Sequence, residues 1–437
     1  MSDTRVPVDT PGCAMSIVDR CGPAVSGFAG GAVAAFAIRE SQVQDYELAR
    51  GVWSVLVTPQ WAGTAAALTA VGVLAVLSMR GSRLLTALTA VVGAIVIALP
   101  AFVGVAASPA VTLNAVGAGV LLAAAASTAA GGRAGLVAVA VGVLGTTLFY
   151  GAAALWRTRL LRWSVTLPDD PTTVPAAVPV LVAVTAAIVI VGAAIRASPD
   201  SVPGFRRRDV VVSVGLPLVF TVLYAWLGST SASTVSWTVA VVLSAAATLA
   251  AARWLPLREG RFLLVGLAIA ATSVNEARYF AGSWWLVLAG IVLLAAGAAV
   301  GWFRPAPGAG MVLLAAVTVT GVMSGSATFE SVLTVAYVGV LPFAVGLTVS
   351  SCLPASALIV VTGVLMPLTV TLFAVSAPVI REFVWSNGYP APGHYPLVAV
   401  AAPLPSGILV ATVTVVLVLV AVTYRSSPVR LPSVDIR

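Results

Sequence analysis

Lysine is missing altogether from this 437-residue chain, so all 23 basic residues are arginine; histidine occurs once, cysteine three times, and charged residues of either sign make up only 9%. Soluble domains carry about 25% charged residues, and so little charge excludes a soluble globular protein. Cys13, Cys21 and Cys352 are too few and too scattered for a disulfide framework or a zinc site. With His394 as the lone imidazole, the sequence implies no metal and no cofactor. A cleaved leader is not expected either: Cys21 follows Val-Asp-Arg rather than a lipidation motif, and Asp3, Asp9 and Asp19 interrupt the polar lead of a signal peptide. The formal charge of +8 does not indicate a nucleic-acid partner, because the arginines are scattered between apolar runs with no extramembrane domain to form a groove. In a membrane protein such residues mark loops that meet anionic lipid headgroups.

What is abundant is apolar residues, 60% of the chain with a mean hydropathy of +1.06. They run in uncharged stretches longer than the roughly 20 residues a helix needs to cross a bilayer. The fold class is all-α, a polytopic helical membrane protein. A charge at mid-bilayer costs about 2.5–3.5 kcal/mol on insertion scales, so charges mark the edges of spans. Cutting there predicts about fourteen spans. They are 21–38, 51–79, two in 84–132 divided at Ser108-Pro109, 134–156, and 171–195. After these come two in 210–252 divided at Gly228-Ser229-Thr230, then 262–281, 279–303, 305–329, two in 331–380 divided at 350–354, and 396–424. The expected organisation is a tail over 1–21, a six-helix bundle over 22–196 and a central loop over 197–209 around Arg206, Arg207 and Arg208. A second six-helix bundle over 210–351, two extra spans in 352–424 and a tail over 425–437 complete it. No loop exceeds roughly 20 residues, far below the size of a folding domain. A soluble catalytic domain is therefore excluded, and no enzyme activity is expected.

An even number of spans puts both termini on one side of the membrane. With the termini inside, sixteen arginines are cytoplasmic and seven external, a positive-inside bias that predicts a cell-membrane protein with cytoplasmic termini. Arg157, Arg159 and Arg162 run against the rule. Trp156 and Trp163 flank them, and a short interfacial helix at headgroup level would hold them there.

Two turns carry related sequences: Arg80-Gly81-Ser82-Arg83 between the second and third spans, and Arg258-Glu259-Gly260-Arg261 between the eighth and ninth. In each, the glycine permits the turn and the paired arginines face the headgroups. Their recurrence six spans apart is what two parallel six-helix repeats would produce. On these turns, on the small-residue run from Asn114 to Gly119 and on Gly131-Gly132-Arg133, the chain resembles the major facilitator superfamily. The resemblance covers the layout of residues 22–351 and implies two six-helix halves that alternate in access around a central path. Three features depart from the family pattern. Leu77, Ser78 and Met79 stand where the family has an aspartate before Arg80, and Asn114 stands near where its fourth helix often has arginine. The two extra spans lie at the C-terminal end, whereas fourteen-helix members usually carry theirs between the halves.

A transporter of this type presents polar groups to its path, and polar groups are costly in lipid. Glu276 lies about 15 residues past Arg261, roughly 22 Å into a core of about 30 Å, if the ninth helix runs on to Ala281. With Asn275 and Arg278, which share a helical face, it is a candidate for a substrate or coupling path; the alternative is an interfacial turn. Glu330 stands at the join of the eleventh and twelfth spans, as a path residue or a turn residue. Asn114 either lines the path or bonds across a helix interface. His394 sits among prolines and glycines over 388–396 and belongs to a loop. Pro217, Pro342 and Pro367 interrupt spans and bend them.

The leading expectation is a secondary transporter moving a small apolar or weakly polar solute by alternating access, since a charged substrate would need a buried counter-charge. One alternative is a membrane-embedded glycosyltransferase or ligase for lipid-linked sugars, resting on Glu40, Asp45 and Glu47 near Arg39 and Arg50 and on Asp169-Asp170. A lipid flippase and a subunit of an envelope complex also fit fourteen spans. The partners implied are the lipid bilayer and an unidentified solute, and no residue pattern specifies an oligomeric state.

Overall fold

The computed structural model describes residues 17–40, 59–103, 107–161, 177–196, 204–229, 234–273, 284–321 and 330–370, with four short strands between 380 and 398. Helices make up almost all of it: α1 (Ile17–Glu40), α2 (Pro59–Arg80), α3 (Arg83–Val103), α4 (Ala107–Ala129), α5 (Arg133–Leu161), α6 (Ala177–Arg196), α7 (Arg207–Ser229) and α8 (Thr234–Trp254). There follow α9 (Leu257–Thr272), α10 (Trp284–Phe303), α11 (Pro307–Gly321), α12 (Glu330–Thr334), a π-helical turn (Val335–Val340), α13 (Leu341–Cys352) and α14 (Ala357–Thr369). Apolar chain in lipid has no water to satisfy its backbone, so each run closes its hydrogen bonds within itself. Among the described residues, eight helices are long and apolar enough to cross a membrane: α1 to α5, α7, α10 and the α12–α13 rod. Shorter apolar helices occur in α6, α8, α11 and α14. The protein is a helical membrane protein. The last predicted span, 396–424, lies outside the described residues except for Leu397–Val398, which pairs as a strand with Ile380–Arg381; Trp385–Ser386 pairs with Tyr389–Pro390.

Several expected boundaries move, for a common reason: charge marks where hydrocarbon ends, whereas the helix ends where its backbone does. Ser108 and Pro109 lie in the first turn of α4 rather than in a break, since proline there removes only an N–H that has no helical partner. Arg207, Arg208 and Asp209 form the first turn of α7, shortening the loop expected over 197–209. Arg157 and Arg159 lie on the last turns of α5, not on a separate interfacial helix. At 29 residues α5 is about 44 Å long, more than a core of about 30 Å, so its end projects past the hydrocarbon. α9 ends at Thr272, with Ser273 as its C-cap, short of the expected end at Ala281.

The bend expected at Pro342 takes the form of the π-helical turn. The Leu341 N–H donates to the Ala336 carbonyl, five residues back. Proline offers no N–H to the turn before it, and the helix widens by one residue just ahead of the ring.

The helices differ in how much of their surface is buried. α9 is buried at Gly260 and from Phe262 through Thr272, and α14 from Ala357 through Met366. α10 buries only a stripe, Gly290, Leu294, Gly297, Ala298 and Gly301, and turns Trp285, Val292 and Phe303 outward. Lipid tails are as apolar as these side chains, so the stripe is marked by smallness. Gly297 of α10 rests on the Phe343 carbonyl of α13, and Gly346 of α13 rests on the Leu294 carbonyl of α10. Gly266 of α9 meets the Gly363 carbonyl of α14 in the same way.

The helices pack in two groups, but not the two expected. In the first group α1 packs on α4, α5 and α6, α4 on α2 and α3, and α3 on α6. The helices over 210–351 do not reproduce these pairings; α7, the expected counterpart of α1, packs instead on α2, α8 and α14. With the α12–α13 rod taken as one span, the pattern returns eight spans on. The α1–α5 pair is matched by α9–α14, α1–α4 by α9–α13, α2–α4 by α10–α13, and α3–α4 by α11–α13. The contacts that join the groups match as well, α2 with α14 and α5 with α10. α7 and α8 stand between the groups in the chain.

Leucine at Gly297 or Gly346 pushes a side chain into backbone and should cost about 1–3 kcal/mol. Leucine at Gly72 or Gly215, where an added Cβ meets nothing within 4 Å, should stay within about 0.5 kcal/mol of the parent. Thermal unfolding of the purified protein in detergent distinguishes the two pairs.

Candidate functional site

Short turns between antiparallel helices gather the arginines at one end of the bundle. Arg80 and Arg83 flank the α2–α3 turn, Arg133 starts α5, Arg253 and Arg258 flank the α8–α9 turn, Arg261 lies in the first turns of α9, and Arg304 follows α10. This is the basic end. Its two related turns are physically different. Gly81 has φ 53, in the left-handed region that favours glycine, and its N–H donates to the Leu77 carbonyl at 3.0 Å. The Ser82 hydroxyl accepts from the Leu85 N–H at 3.4 Å, capping α3. Arg80 and Arg83 are exposed there. Gly260, by contrast, is not a turn residue: it lies inside α9, buried, where it rests on the Ala252 carbonyl of α8. Arg258 is exposed and Arg261 half-buried. On the eight-span correspondence, the partner of the α2–α3 turn is Arg304-Pro305-Ala306, where the Ala306 N–H donates to the Ser351 hydroxyl at 3.2 Å.

Arg133 links the two groups. Its Nη2 donates to the Ser350 carbonyl of α13 at 2.9 Å, and its guanidinium carbon stands 4.9 Å from the Trp302 ring centroid on α10. Ser350 lies in the last turn of α13, where carbonyls lack helical partners and the helix end is partly negative. A cation suits both partners. Sequence reading placed Arg133 in a basic turn, but nothing in the chain pattern named its contacts.

From this clasp, α5 and α10 run side by side to Gly145, where an added Cβ would lie 3.0 Å from Leu294 Cδ2. Towards the other end a groove of about 600 Å³ opens beside them. Phe28 and Phe36 of α1, Phe149 and Tyr150 of α5, and Trp284 and Ile291 of α10 form its walls, with Thr146 the one further polar side chain among the described residues. Phe36 and Tyr150 meet edge-tilted with centroids 5.8 Å apart. Another link between groups closes at the opposite end: Gly63, near the start of α2, rests on the Leu368 carbonyl near the end of α14. Beside it the hydroxyls of Thr64 and Thr221 share a hydrogen bond of 2.5 Å between α2 and α7. A second apolar groove, about 640 Å³, lies between α3 and α6 within the first group.

No protein-family model and no curated protein matches the chain. The site rests on its geometry.

Of the expected path residues, only Asn114 and Glu330 lie among the described residues, and neither lines this groove. Asn114 is half-buried on α4, and its Oδ1 is buried without a hydrogen-bond partner among the described residues, so the expected bond across a helix interface is not seen at that atom. Glu330 opens α12. Asn275, Glu276, Arg278, Asp45, Glu47, Asp169, Asp170 and His394 lie outside the described residues, and Glu40 closes α1. Among the described residues no three His, Cys, Asp or Glu side chains group as metal ligands. Asp209, which sequence reading assigned to a loop, is 4% exposed in the first turn of α7; its Oδ1 and the Ser213 hydroxyl one turn on have no partner among the described residues.

A double-mutant cycle on Arg133→Ala and Trp302→Leu, read by thermal unfolding, should give a coupling energy of about 0.5–1 kcal/mol, the range of a cation–π pair at an accessible site.

Proposed function

We propose that the chain is a secondary transporter of major-facilitator type, with fourteen spans arranged as six, two and six, moving an apolar or weakly polar solute by alternating access. The observation that carries this reading is the return of four pairings among α1 to α5 eight spans later, together with the matched links α2–α14 and α5–α10. Two equivalent helix groups joined along two seams are the arrangement that rocking requires. The pair α7 and α8 then takes the place between halves that extra helices occupy in fourteen-helix members of that superfamily. The basic end is the cytoplasmic end, by the positive-inside rule. The Arg133 clasp belongs to a state closed on that side. Absence of charge among the described residues of the groove walls favours a solute without net charge.

Replacing Arg133 and Trp302 by cysteine, in protein lacking Cys13, Cys21 and Cys352, and bridging them with a short thiol cross-linker should stop solute flux into proteoliposomes across a panel of apolar and weakly polar compounds. Cleaving the bridge should restore it. Flux that persists in the bridged protein refutes alternating access across this seam. Topology is tested on Cys21, which is exposed near the start of α1. In Cys13→Ser protein, a membrane-impermeant maleimide should label Cys21 in inverted vesicles and not in intact cells; the reverse places the basic end outside.

A further inference from the structure

We infer that the groove between α5 and α10 takes the hydrocarbon tail of an amphipathic lipid entering sideways from the bilayer. This deepens the transport reading above and rests on it. The seam is shut at the basic end by Arg133 on Trp302 and Ser350, and pinched where Gly145 meets Leu294. Over the described residues its open part follows α10 from Trp284 to Ala295, both of which line the groove. Eleven residue steps of 1.5 Å make about 16 Å, about half of a core of about 30 Å. The part of the opening formed by described residues is therefore long enough to face one leaflet. What meets such a slot along its length is a tail of that leaflet, running parallel to the helices.

The walls distinguish this slot from an ordinary lipid-facing crevice. They come from both helix groups, Phe36 and Tyr150 from one side and Trp284 and Ile291 from the other, so an occupant touches both at once. Movement of the groups against each other changes its affinity, which is the condition for coupling binding to a change of state. The groove between α3 and α6 has nearly the same volume, about 640 Å³, but lies within one group and has Phe102 as its single aromatic residue. A tail there does not feel that movement. Tyr150 and Trp284 also stand away from the Arg133 clasp, towards the end of the bundle where amphipathic rings sit at headgroup level. Among the described residues no acid or arginine lines the groove, which suits a hydrocarbon tail.

The test uses the full chain in nanodiscs of phosphatidylethanolamine and phosphatidylglycerol, with a trace of phosphatidylglycerol bearing a diazirine halfway along one tail. After photolysis, labelled positions are mapped by mass spectrometry. Labelling of the α5–α10 groove is expected to exceed that of the α3–α6 groove about tenfold, equivalent to about 1.4 kcal/mol of preference. Gly145→Phe should remove the excess while leaving α3–α6 unchanged. Ile291→Trp fills the slot from a lipid-facing position, 45% exposed, and should do the same in a protein whose fold does not depend on that side chain. Equal labelling of the two grooves, meaning surrounding lipid only, overturns the proposal, as does labelling that neither variant reduces. Selective labelling in protein that moves no solute of the wider panel supports the groove and counts against the transport reading; flux with equal labelling counts against the groove alone.

Discussion

Hydrocarbon gives helices no reason to leave it for one another, and the whole architecture depends on how closely their backbones can approach. Where glycine or alanine lines a face, the neighbouring main chain comes within contact and dispersion holds the pair. Gly297 with Gly346 does this for α10 and α13, and Gly266 with Gly363 for α9 and α14. Apolarity does not sort the helices: α10 and α14 are both strongly apolar, yet α10 exposes Trp285 and Phe303 whereas α14 is buried along nearly its whole length. The seams between groups follow the same logic. α5 and α10 touch where Gly145 admits Leu294 and part where Phe149 and Tyr150 face Trp284.

Electrostatics enters only at the ends. Arginines gather where the chain turns, and the one that joins the groups meets a backbone carbonyl and an indole ring rather than a carboxylate. Neither partner titrates, so the clasp is set by geometry and by the unmatched carbonyls of a helix terminus. The buried carboxylate of Asp209 stands apart from it, on the pair of helices that lies between the groups in the chain.

How much of this could be read from the chain differs by level. Eight of the expected spans appear as helices long and apolar enough to cross a membrane, because a charge at mid-bilayer costs enough to keep arginine and acids at the edges. Helix ends were not legible, since α7 begins at Arg207 and α5 continues through Arg159 with charges aboard. The likeness of the two Arg-Gly turns misled: Gly81 is a left-handed turn residue, whereas Gly260 is a contact residue inside a helix, and three shared letters do not separate the roles. The register of the repeat went wrong with it, placing the correspondence six spans on rather than eight. Packing partners leave little trace in a sequence whose interfaces and lipid faces are equally apolar. Of the candidate site, Arg133 was visible as part of a turn and Asn114 as a polar residue in a span, but the groove was not, because its aromatics are indistinguishable from those of any lipid-facing surface.

Two of the junctions between the groups lie at opposite ends: Gly63 rests on the Leu368 carbonyl at one, and Arg133 holds to Trp302 at the other. The first is main chain against main chain and leaves no room for a side chain at position 63, whereas the second is made by a long side chain reaching an indole ring and a carbonyl. One end is thus fixed by the absence of an atom and the other by the presence of a charge, so the two tolerate quite different substitutions.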